Sequence, residues 1–353
     1  PWRVLLCYYL SELRKSQMVR FYLVLLLLSL IGFAQAHHGA AQSYDVDTLI
    51  TIEGEILSIS WRNPHVTMEL QRTVETGGTE VWEIEASTAN RLERIGISQD
   101  VVSVGSKVAF TGAPSRHGLN ALAAWIMTLE DGLEVPIWPQ RAIRMGRIVN
   151  RVPVDTAIVE ASTANANGIF RVWSRPDISG QLLEGGYLPF TEEALLAREG
   201  WDSLVDDLVL RCIPRGMPSI MNNPQPMEFI DNGSSIVLRL EEWDAERVIY
   251  LDQAAPPTDE SDSGLGYSIG RWEDNTLVVN TTHINDPYFD DIGTPQGDFS
   301  AVEERFTLGE DETRLDYESV HVDSDTFTEP ARQTGYWNWL PGEQVKPYNC
   351  TVN

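Results

Sequence analysis

The sequence has little lysine and many carboxylates. Lysine occurs only at Lys15, Lys107 and Lys346 among 353 residues, whereas the 52 aspartates and glutamates outnumber the 26 basic residues and give a net charge of −26. Such an excess of negative charge keeps a protein soluble and repels nucleic acid and anionic lipid surfaces. We therefore expect no nucleic-acid partner.

Recognised catalytic signatures are also missing from the sequence. It has no G-x-S-x-G nucleophile elbow, no H-E-x-x-H metalloprotease motif, no P-loop, no C-x-x-C-H haem motif and no dinucleotide-binding glycine fingerprint. The corresponding chemistries need these residues at these spacings. Dispersed carboxylates leave no local pattern, so an enzyme is not excluded, but the sequence favours a non-catalytic protein.

The most apolar segment is too short to span a membrane as a helix. Phe21–Phe33 has about 13 residues, against the roughly 20 that a membrane-spanning helix needs. Arg20 precedes this run and Ala-Gln-Ala follows it at positions 34–36, which is the pattern of a secretory signal peptide with its cleavage site. We expect residues 1–36 to be removed and the mature bacterial protein to be periplasmic or secreted, without a membrane span. A retained anchor is the alternative.

Cysteine is scarce, and an even pair remains after the expected cleavage. Cys7 lies in the segment that is removed, which leaves Cys212 and Cys350. Two cysteines in an exported protein favour a disulfide, and closing so long a loop contributes about 4–5 kcal/mol in the loop-entropy description. Two buried free thiols are the alternative.

Residues 37–132 have the element order of an OB-fold, a small five-stranded barrel. Strand-like segments at 51–61, 65–70 and 80–87 precede a short helical run, which Thr88 caps and Gly96 ends. Further strands follow at 105–114 and 121–132. Three strands, a helix and two strands is the OB-fold order. Residues 133–188 then form a weakly periodic connector.

Residues 189–353 have the pattern of a larger antiparallel β domain. Thr191 begins a short helix with two glutamates in its first turn. About eight short strands follow from Met227 onwards, separated by turns such as "DNG" and "GEDE". We expect a mainly β protein with few short helices, in which this second domain is a lipocalin-like barrel or a strongly curled sheet. A two-sheet sandwich fits the same pattern.

Four arginines of the connector are three or four residues apart. They are Arg141, Arg144, Arg147 and Arg151. On a helix this spacing places them on one face. They either pair with the acidic body of the protein or form a docking patch for an anionic partner, in which case the protein would be a structural or interaction module of the envelope.

Two adjacent histidines stand at the expected new N-terminus. Cleavage after residue 36 frees the α-amine of His37, which can chelate a metal together with its own imidazole, and His38 adds a second imidazole. His65, at the start of the second predicted strand, is the third candidate. Nitrogen ligands favour Cu(II) or Ni(II), with zinc also possible. We therefore predict a copper site at His37, His38 and His65; a solvated terminus that binds metal adventitiously is the alternative.

Polar side chains lie within the otherwise apolar strands of the second domain, with tryptophans nearby. If these side chains point inwards, they form a polar and aromatic pocket at the mouth of a barrel, a usual place for a small ligand. The predicted ligand-binding residues are Arg239, Glu242, Arg271, Glu304, Tyr317 and Glu318. The alternatives are ion pairs on the outer face of the strands, or a periplasmic enzyme in which Glu304 and Glu318 do acid–base chemistry.

Several motifs together resemble a family of exported bacterial proteins of unknown function. "AHHGAAQSYD", "EGEILSISWRNPHV" and "WEIEASTANRLERIGI" are similar to the His-His start and the Asn-Pro-His element of that family. "RCIPRGMPSIM", "GYSIGRWEDNTLVV" and "KPYNC" resemble the C-terminal part of its long members. The resemblance implies export and a two-part architecture, and it implies no activity. The sequence thus predicts an exported, soluble binding protein with a metal site and a small-ligand site.

Overall fold

The first barrel is a five-stranded OB-fold. The computed structural model describes residues 40–175, 183–223 and 225–351. The first elements are α1 (Ala40–Ser43), β1 (Ile50–Ser60), β2 (Thr67–Thr73), β3 (Thr79–Glu85), α2 (Ala89–Arg94), β4 (Lys107–Pro114), β5 (Ala121–Leu129) and β6 (Glu134–Val135). The strands pair in the order β3-β2-β1-β4-β5-β6, and β3 also pairs with β5 in parallel, which closes the barrel. The predicted OB-fold is confirmed.

Local features of the sequence explain how this barrel closes and where its helix begins. Between β4 and β5 the backbones approach so closely that a Cβ atom on Gly112 would lie 2.0 Å from the carbonyl oxygen of Ala123. Only glycine fits at this bulge. Thr88 caps α2 as predicted, because its hydroxyl accepts the amide of Arg91 at 3.3 Å. The arginines of α2 therefore have a fixed position directly after β3.

The second barrel is closed by nine strands. The elements that follow β6 are α3 (Pro139–Arg144), α4 (Thr156–Ala164), β7 (Val172–Ser174), β8 (Leu183–Tyr187), α5 (Glu192–Glu199), β9 (Met227–Asp231), β10 (Ser235–Leu240), β11 (Ala245–Tyr250), β12 (Tyr267–Glu273), β13 (Thr276–Thr282), β14 (Ala301–Leu308), β15 (Arg314–Val322) and β16 (Ala331–Trp339). Consecutive strands from β9 to β16 pair, and β7 pairs with both β9 and β16 and completes the ring. Since a closed ring of nine strands cannot alternate throughout, one pair, β11–β12, is parallel. The predicted mainly β fold with a second barrel is confirmed, and its ninth strand, β7, comes from the predicted connector.

Large side chains fill the interior of the second barrel. Trp173, Phe229, Phe306, Tyr317 and Trp337 are each at most 4 % exposed and belong to one hydrophobic core. Phe229 meets Phe306 edge-on with ring centroids 5.2 Å apart, and Tyr317 meets Trp337 in the same way at 5.3 Å. The interior of the second barrel is therefore tightly packed where these five side chains lie.

The helices of the described ranges are short. α4 has 9 residues and α5 has 8. α5 begins after Thr191 as predicted, because the threonine hydroxyl accepts the amide of Ala194 at 3.1 Å. Among residues 40–175, 183–223 and 225–351, no helix is long and apolar enough to cross a membrane.

The four connector arginines do not share one helix face. α3 ends at Arg144, so the last two arginines lie outside it. Arg147 instead pairs with Glu134 at 2.6 Å, and Arg151 pairs with Glu343. These contacts fit the expectation of internal pairing with the acidic body, and the single basic face does not form.

The C-terminal tail is fastened by the predicted disulfide. Cys212 and Cys350 are bonded, with Cα atoms 5.8 Å apart, and this prediction is confirmed. Just before Cys350, the carbonyl oxygen of Tyr348 accepts from Asn63 of the OB-fold at 2.6 Å, and the amide of Tyr348 donates to Asp244 of the second barrel at 2.8 Å. The tail therefore contacts both barrels where they meet.

Candidate functional site

The two barrels meet at a junction lined with charged residues from both. Glu241, in the turn between β10 and β11, is fully buried. It accepts two hydrogen bonds from Arg94 of the OB-fold at 2.8 and 2.6 Å, one from Asn90 at 3.0 Å and one from the amide of Lys346 at 2.8 Å. A bidentate arginine–carboxylate pair is directional, so this contact fixes the orientation of one barrel on the other.

The turn between β10 and β11 has an uncommon backbone. Trp243 and Asp244 have φ values of 66° and 52°, and left-handed conformations at such residues cost of order 1–3 kcal/mol each. The tail compensates on one side: the Trp243 ring packs against Tyr348 with centroids 5.3 Å apart, and Asp244 accepts the amides of Tyr348 and Asn349. Strain of this kind concentrates at functional sites, and the residue it holds in place is Glu242.

Glu242 is the central residue of the junction. It is 7 % exposed, and its Oε2 atom is buried without a hydrogen-bond partner in the described part of the chain. Burial raises the pKa of its carboxyl group; Arg215 and Arg175 act against this rise, and Asp291 adds to it. A buried acceptor without a partner costs about 1–3 kcal/mol, and a ligand that donates a hydrogen bond to it would remove that cost.

Loops of the second barrel hold Arg215 at the junction. Its nearest carboxylate is that of Asp291 at 3.8 Å, and these two side chains stay 24 % and 18 % exposed. The next residue anchors the loop: the amide of Gly216 donates to Asp286 at 2.5 Å, and a Cβ atom on Gly216 would lie 2.2 Å from the carbonyl oxygen of Gly264. Only glycine fits there. Arg215 therefore has a defined position that solvent reaches.

His65 reaches the junction from the OB-fold. Its Nδ1 atom lies 3.0 Å from the carbonyl oxygen of Ala86 and 3.4 Å from the carboxylate of Glu85. Because a carbonyl oxygen only accepts, Nδ1 carries a proton and donates it to Ala86. Glu85 also accepts from the hydroxyl of Tyr44 at 3.0 Å, which holds its carboxylate beside an imidazole that is 36 % exposed.

Two buried arginines complete the positive side of the junction. Burial, and then the charges of Arg175, Arg94 and Arg151, lower the pKa of Arg91 to about 9. Arg175 donates to the carbonyl oxygen of Asn223 at 2.7 Å. Several arginines therefore lie close together here, within a protein whose net charge is −26.

We refer to these charged residues as the junction site. Asp207 also belongs to it: burial raises the pKa of its carboxyl group, and Arg215 acts against this rise. The junction site comprises His65, Arg91, Arg175, Asp207, Arg215, Glu242 and Asp291. It combines both signs of charge with one unpaired acceptor, and both barrels contribute to it. Such an arrangement suits a small polar molecule.

Only one member of the predicted metal set is described by the structure. His37 and His38 lie outside the described residues, and His65 has the environment given above. Within the ranges that the structure describes, no group of three or more histidine, cysteine, aspartate or glutamate side chains is arranged to hold a metal ion.

His321 lies inside the second barrel, with Nε2 2.8 Å from the hydroxyl of Ser319, and burial lowers its pKa to about 4.

The six predicted ligand-binding residues lie in three different places. Glu304 and Tyr317 are buried inside the second barrel, where Glu304 pairs with Arg247 and accepts from Tyr317 at 3.1 Å. Glu242 belongs to the junction site. The other three form ion pairs on the outer face: Arg239–Glu228, Arg271–Glu273 and Glu318–Arg332. The six residues therefore do not line one pocket, and Glu304 and Glu318 do not face one cavity.

Glu318 lines a separate groove on the outside of the second barrel. This groove has a volume of about 310 Å³ and is formed by residues of β14, β15 and β16. Its arginines are already paired, Arg305 with Glu273 and Arg314 with Asp316, both at 2.7 Å. The arginines of the groove are therefore already matched by carboxylates.

The sequence identifies Glu242 and His65 as candidate site residues, but it does not show that they lie close together. Arg175, Arg215 and Asp291 lie in loops, where neither strand alternation nor helical spacing relates one residue to another. A signal for two of the residues was present, because the family-like segments "WRNPHV" and "RCIPRGMP" contain His65 and Arg215.

Comparison with known proteins supports the likeness of the N-terminal part to a family of unknown function. Residues 25–122 match a family of unknown function (DUF6152), which confirms that expectation. The match includes His65 and Arg91, and it ends before the second barrel, which supplies the other residues of the junction site. No curated protein matches the chain.

Proposed function

We propose that the protein is an exported binding protein that holds a small molecule at the junction site. The observation that carries the proposal is the carboxylate of Glu242, which is buried on a strained turn with one oxygen unpaired. Arg215 and Arg175 of the second barrel and His65 of the first act on it electrostatically. A boundary between two packed units, with a few convergent polar groups, is a usual place for a ligand.

Retention of a small molecule by the purified protein tests this proposal. The protein is incubated with the low-molecular-mass extract of bacterial cells, desalted and weighed by native mass spectrometry, in parallel with Glu242→Gln and Arg215→Gln. We expect the wild-type protein to carry an added mass that both variants lack. Glu318→Gln, an exposed carboxylate on the outer face, is the matched control and should retain the added mass. An added mass carried equally by all four proteins, or by none, contradicts the proposal.

Export is supported by two features of the chain. The segment Met18–Ala36 has the pattern of a secretory signal, and the Cys212–Cys350 disulfide suits an oxidising compartment. We propose a periplasmic or secreted location. Mass spectrometry of the protein from fractionated cells should find a mature chain that begins at His37; a cytoplasmic chain that keeps the apolar segment contradicts export.

A transition-metal site is the second candidate, and the orientation of His65 favours it. Histidines that bind a metal through one nitrogen commonly donate the other N–H to a carbonyl or carboxylate, as Nδ1 of His65 does to Ala86. We propose that His37, His38 and His65 bind copper once cleavage has freed the α-amine of His37.

Titration of the mature protein with Cu(II) tests this second candidate. The visible absorption and electron paramagnetic resonance spectra of the copper complex are compared between wild type and His65→Ala. We expect a weaker affinity and an altered spectrum for the variant. Equal affinities would mean that the terminal histidines bind copper without help from the fold.

A further inference from the structure

The junction site surrounds one unpaired acceptor with charges of both signs. Arg215 and Arg175 favour the ionised form of Glu242, whereas Asp291 opposes it. Oε2 of Glu242 lacks a hydrogen-bond partner among the described residues. Buried charges are stable only when they are matched and hydrogen-bonded. A ligand that carries a single charge would match only half of this site.

The surroundings distinguish between the possible ligand charges. An anion pairs with the arginines, but the carboxylates of the site repel it, and so does the field of a protein with a net charge of −26. A cation pairs with the carboxylates, but the arginines of the site repel it. A zwitterion has no net charge and matches both groups at once.

We propose that the junction site binds a small zwitterion of the amino-acid class, with its carboxylate on Arg215 and its ammonium group on Oε2 of Glu242. This inference rests on the proposed function and adds the ligand class to it. The planar fork of Arg215 pairs with a carboxylate through two parallel hydrogen bonds, and its side chain is 24 % exposed and thus reachable. An ammonium group has three donors and no acceptor, which suits an unpaired carboxylate oxygen.

Calorimetric titration at pH 7 and constant ionic strength tests the ligand class. The probes are glycine, serine and phenylalanine, which share the zwitterionic group and differ in size. Acetate and methylamine carry one half of that group each, and glycine betaine keeps both charges but has no N–H donor. We expect at least one amino acid to bind at least tenfold more tightly than acetate, methylamine and betaine.

Single substitutions separate the two halves of the recognition. Glu242→Gln should weaken amino-acid binding at least tenfold and leave acetate binding unchanged or stronger, because it removes the partner of the ammonium group only. Arg215→Gln should weaken the binding of both amino acids and acetate. Arg314→Gln, which removes an exposed arginine paired with Asp316 on the outer face, is the matched control and should bind as wild type.

The circular dichroism and the melting temperature of each variant report whether it folds. If Arg215→Gln does not fold, Arg215→Lys takes its place, because it keeps the charge and loses the fork. We then expect intermediate binding of amino acids by Arg215→Lys.

The outcomes distinguish this inference from the proposed function. Acetate binding as tight as amino-acid binding, or amino-acid binding that Glu242→Gln does not weaken, overturns the zwitterion. If no amino acid binds, but wild type still retains a mass from the cell extract that the junction variants lose, the binding function stands and the ligand class is wrong. If the wild-type protein binds no amino acid and retains no mass from the cell extract, both the proposed binding function and the zwitterion inference are wrong.

Discussion

Replacement of Glu304 by glutamine should destabilise the protein strongly. The sequence makes this residue a candidate for ligand binding or acid–base chemistry, but in the structure it belongs to a buried ion pair. Glu304 is fully buried, and the side chain of its partner Arg247 is 1 % exposed. Arg247 also donates to Ser268 at 2.9 Å and to Thr281 at 2.5 Å, and Glu304 accepts from Tyr317 at 3.1 Å. The pair is thus part of a hydrogen-bonded network inside the second barrel.

The size of the effect follows from the burial of this pair. Glutamine keeps the volume of glutamate, so no cavity forms, but the guanidinium of Arg247 is left buried without a counter-ion. Breaking a buried ion pair in this way costs about 3–5 kcal/mol. For a protein of this size, such a loss corresponds to a fall in the melting temperature of roughly 4–8 °C.

Chemical unfolding followed by tryptophan fluorescence measures this loss. Glu318→Gln is the matched control, because Glu318 lies on the neighbouring strand, faces outwards and pairs with Arg332 at 3.0 Å. An exposed pair contributes about 0–1 kcal/mol. Arg247→Met combined with Glu304→Leu should recover part of the loss, since an apolar pair leaves no charge unmatched.

The result that would refute this reasoning is a Glu304→Gln variant as stable as Glu318→Gln. In that case Arg247 would have solvent or another counter-ion within reach, and the interior of the second barrel would not be a packed core. A stable variant that had lost ligand retention would point back to a role for Glu304 in binding.

Three further changes test other parts of the structure. Burial lowers the pKa of His321 from 6.5 to about 4, so the unfolded chain binds a proton that the folded protein excludes, and stability falls as pH drops between these values. From pH 7 to pH 5, wild type should lose about 2 kcal/mol more free energy of unfolding than His321→Gln. If guanidinium titrations give the same loss for both proteins, this prediction is wrong. Cys350→Ser opens a loop of 138 residues and should lower the free energy of unfolding by up to about 5 kcal/mol, and unchanged thermal unfolding would argue against it. Gly216→Ala brings a Cβ atom within 2.2 Å of a carbonyl oxygen and should cost about 1–3 kcal/mol and weaken ligand retention; a calorimetric scan and a retention assay that match wild type would exclude the close approach.

The OB-fold was predictable because its determinants are local. A hydroxyl cap at Thr88, alternating strands and the order of elements lie within about 80 residues and each has a short-range signature. The second barrel was predictable as a set of strands, but its closure was not. The closing strand, Val172–Ser174, has three residues. The alternation of buried and exposed side chains that marks a strand cannot be recognised in so short a segment.

The neighbouring residues in the sequence predict, for some polar residues, whether the side chain points into the barrel or outwards. Glu304 shares a face with Val302 and Phe306, both buried, so alternation places it inside. Glu318 lies between Tyr317 and Ser319, which face inwards, so alternation places it outside. Alternation could not show that a counter-ion for Glu304 comes from a different strand, β11.

The junction site could not be predicted from the sequence because its residues are distant from one another along the chain. His65 and Glu242 are brought together by the packing of two barrels, and Arg215 and Asp291 by the packing of two loops. No periodic pattern relates residues in loops. The sequence pattern places Glu242 in a strand, whereas its actual setting is a turn with left-handed neighbours.

The fastening of the tail also makes the junction site depend on a short segment that is distant from it along the chain. Asp244 and its partner Asn349 are 105 residues apart, and Cys212 precedes Cys350 by 138. Without the segment that follows Val345, the strained turn has no Tyr348 to pack against and Glu241 has no amide of Lys346 to accept. A chain cut between Val345 and Lys346 would keep every strand of both barrels and lose the contacts that hold Glu242 at the junction.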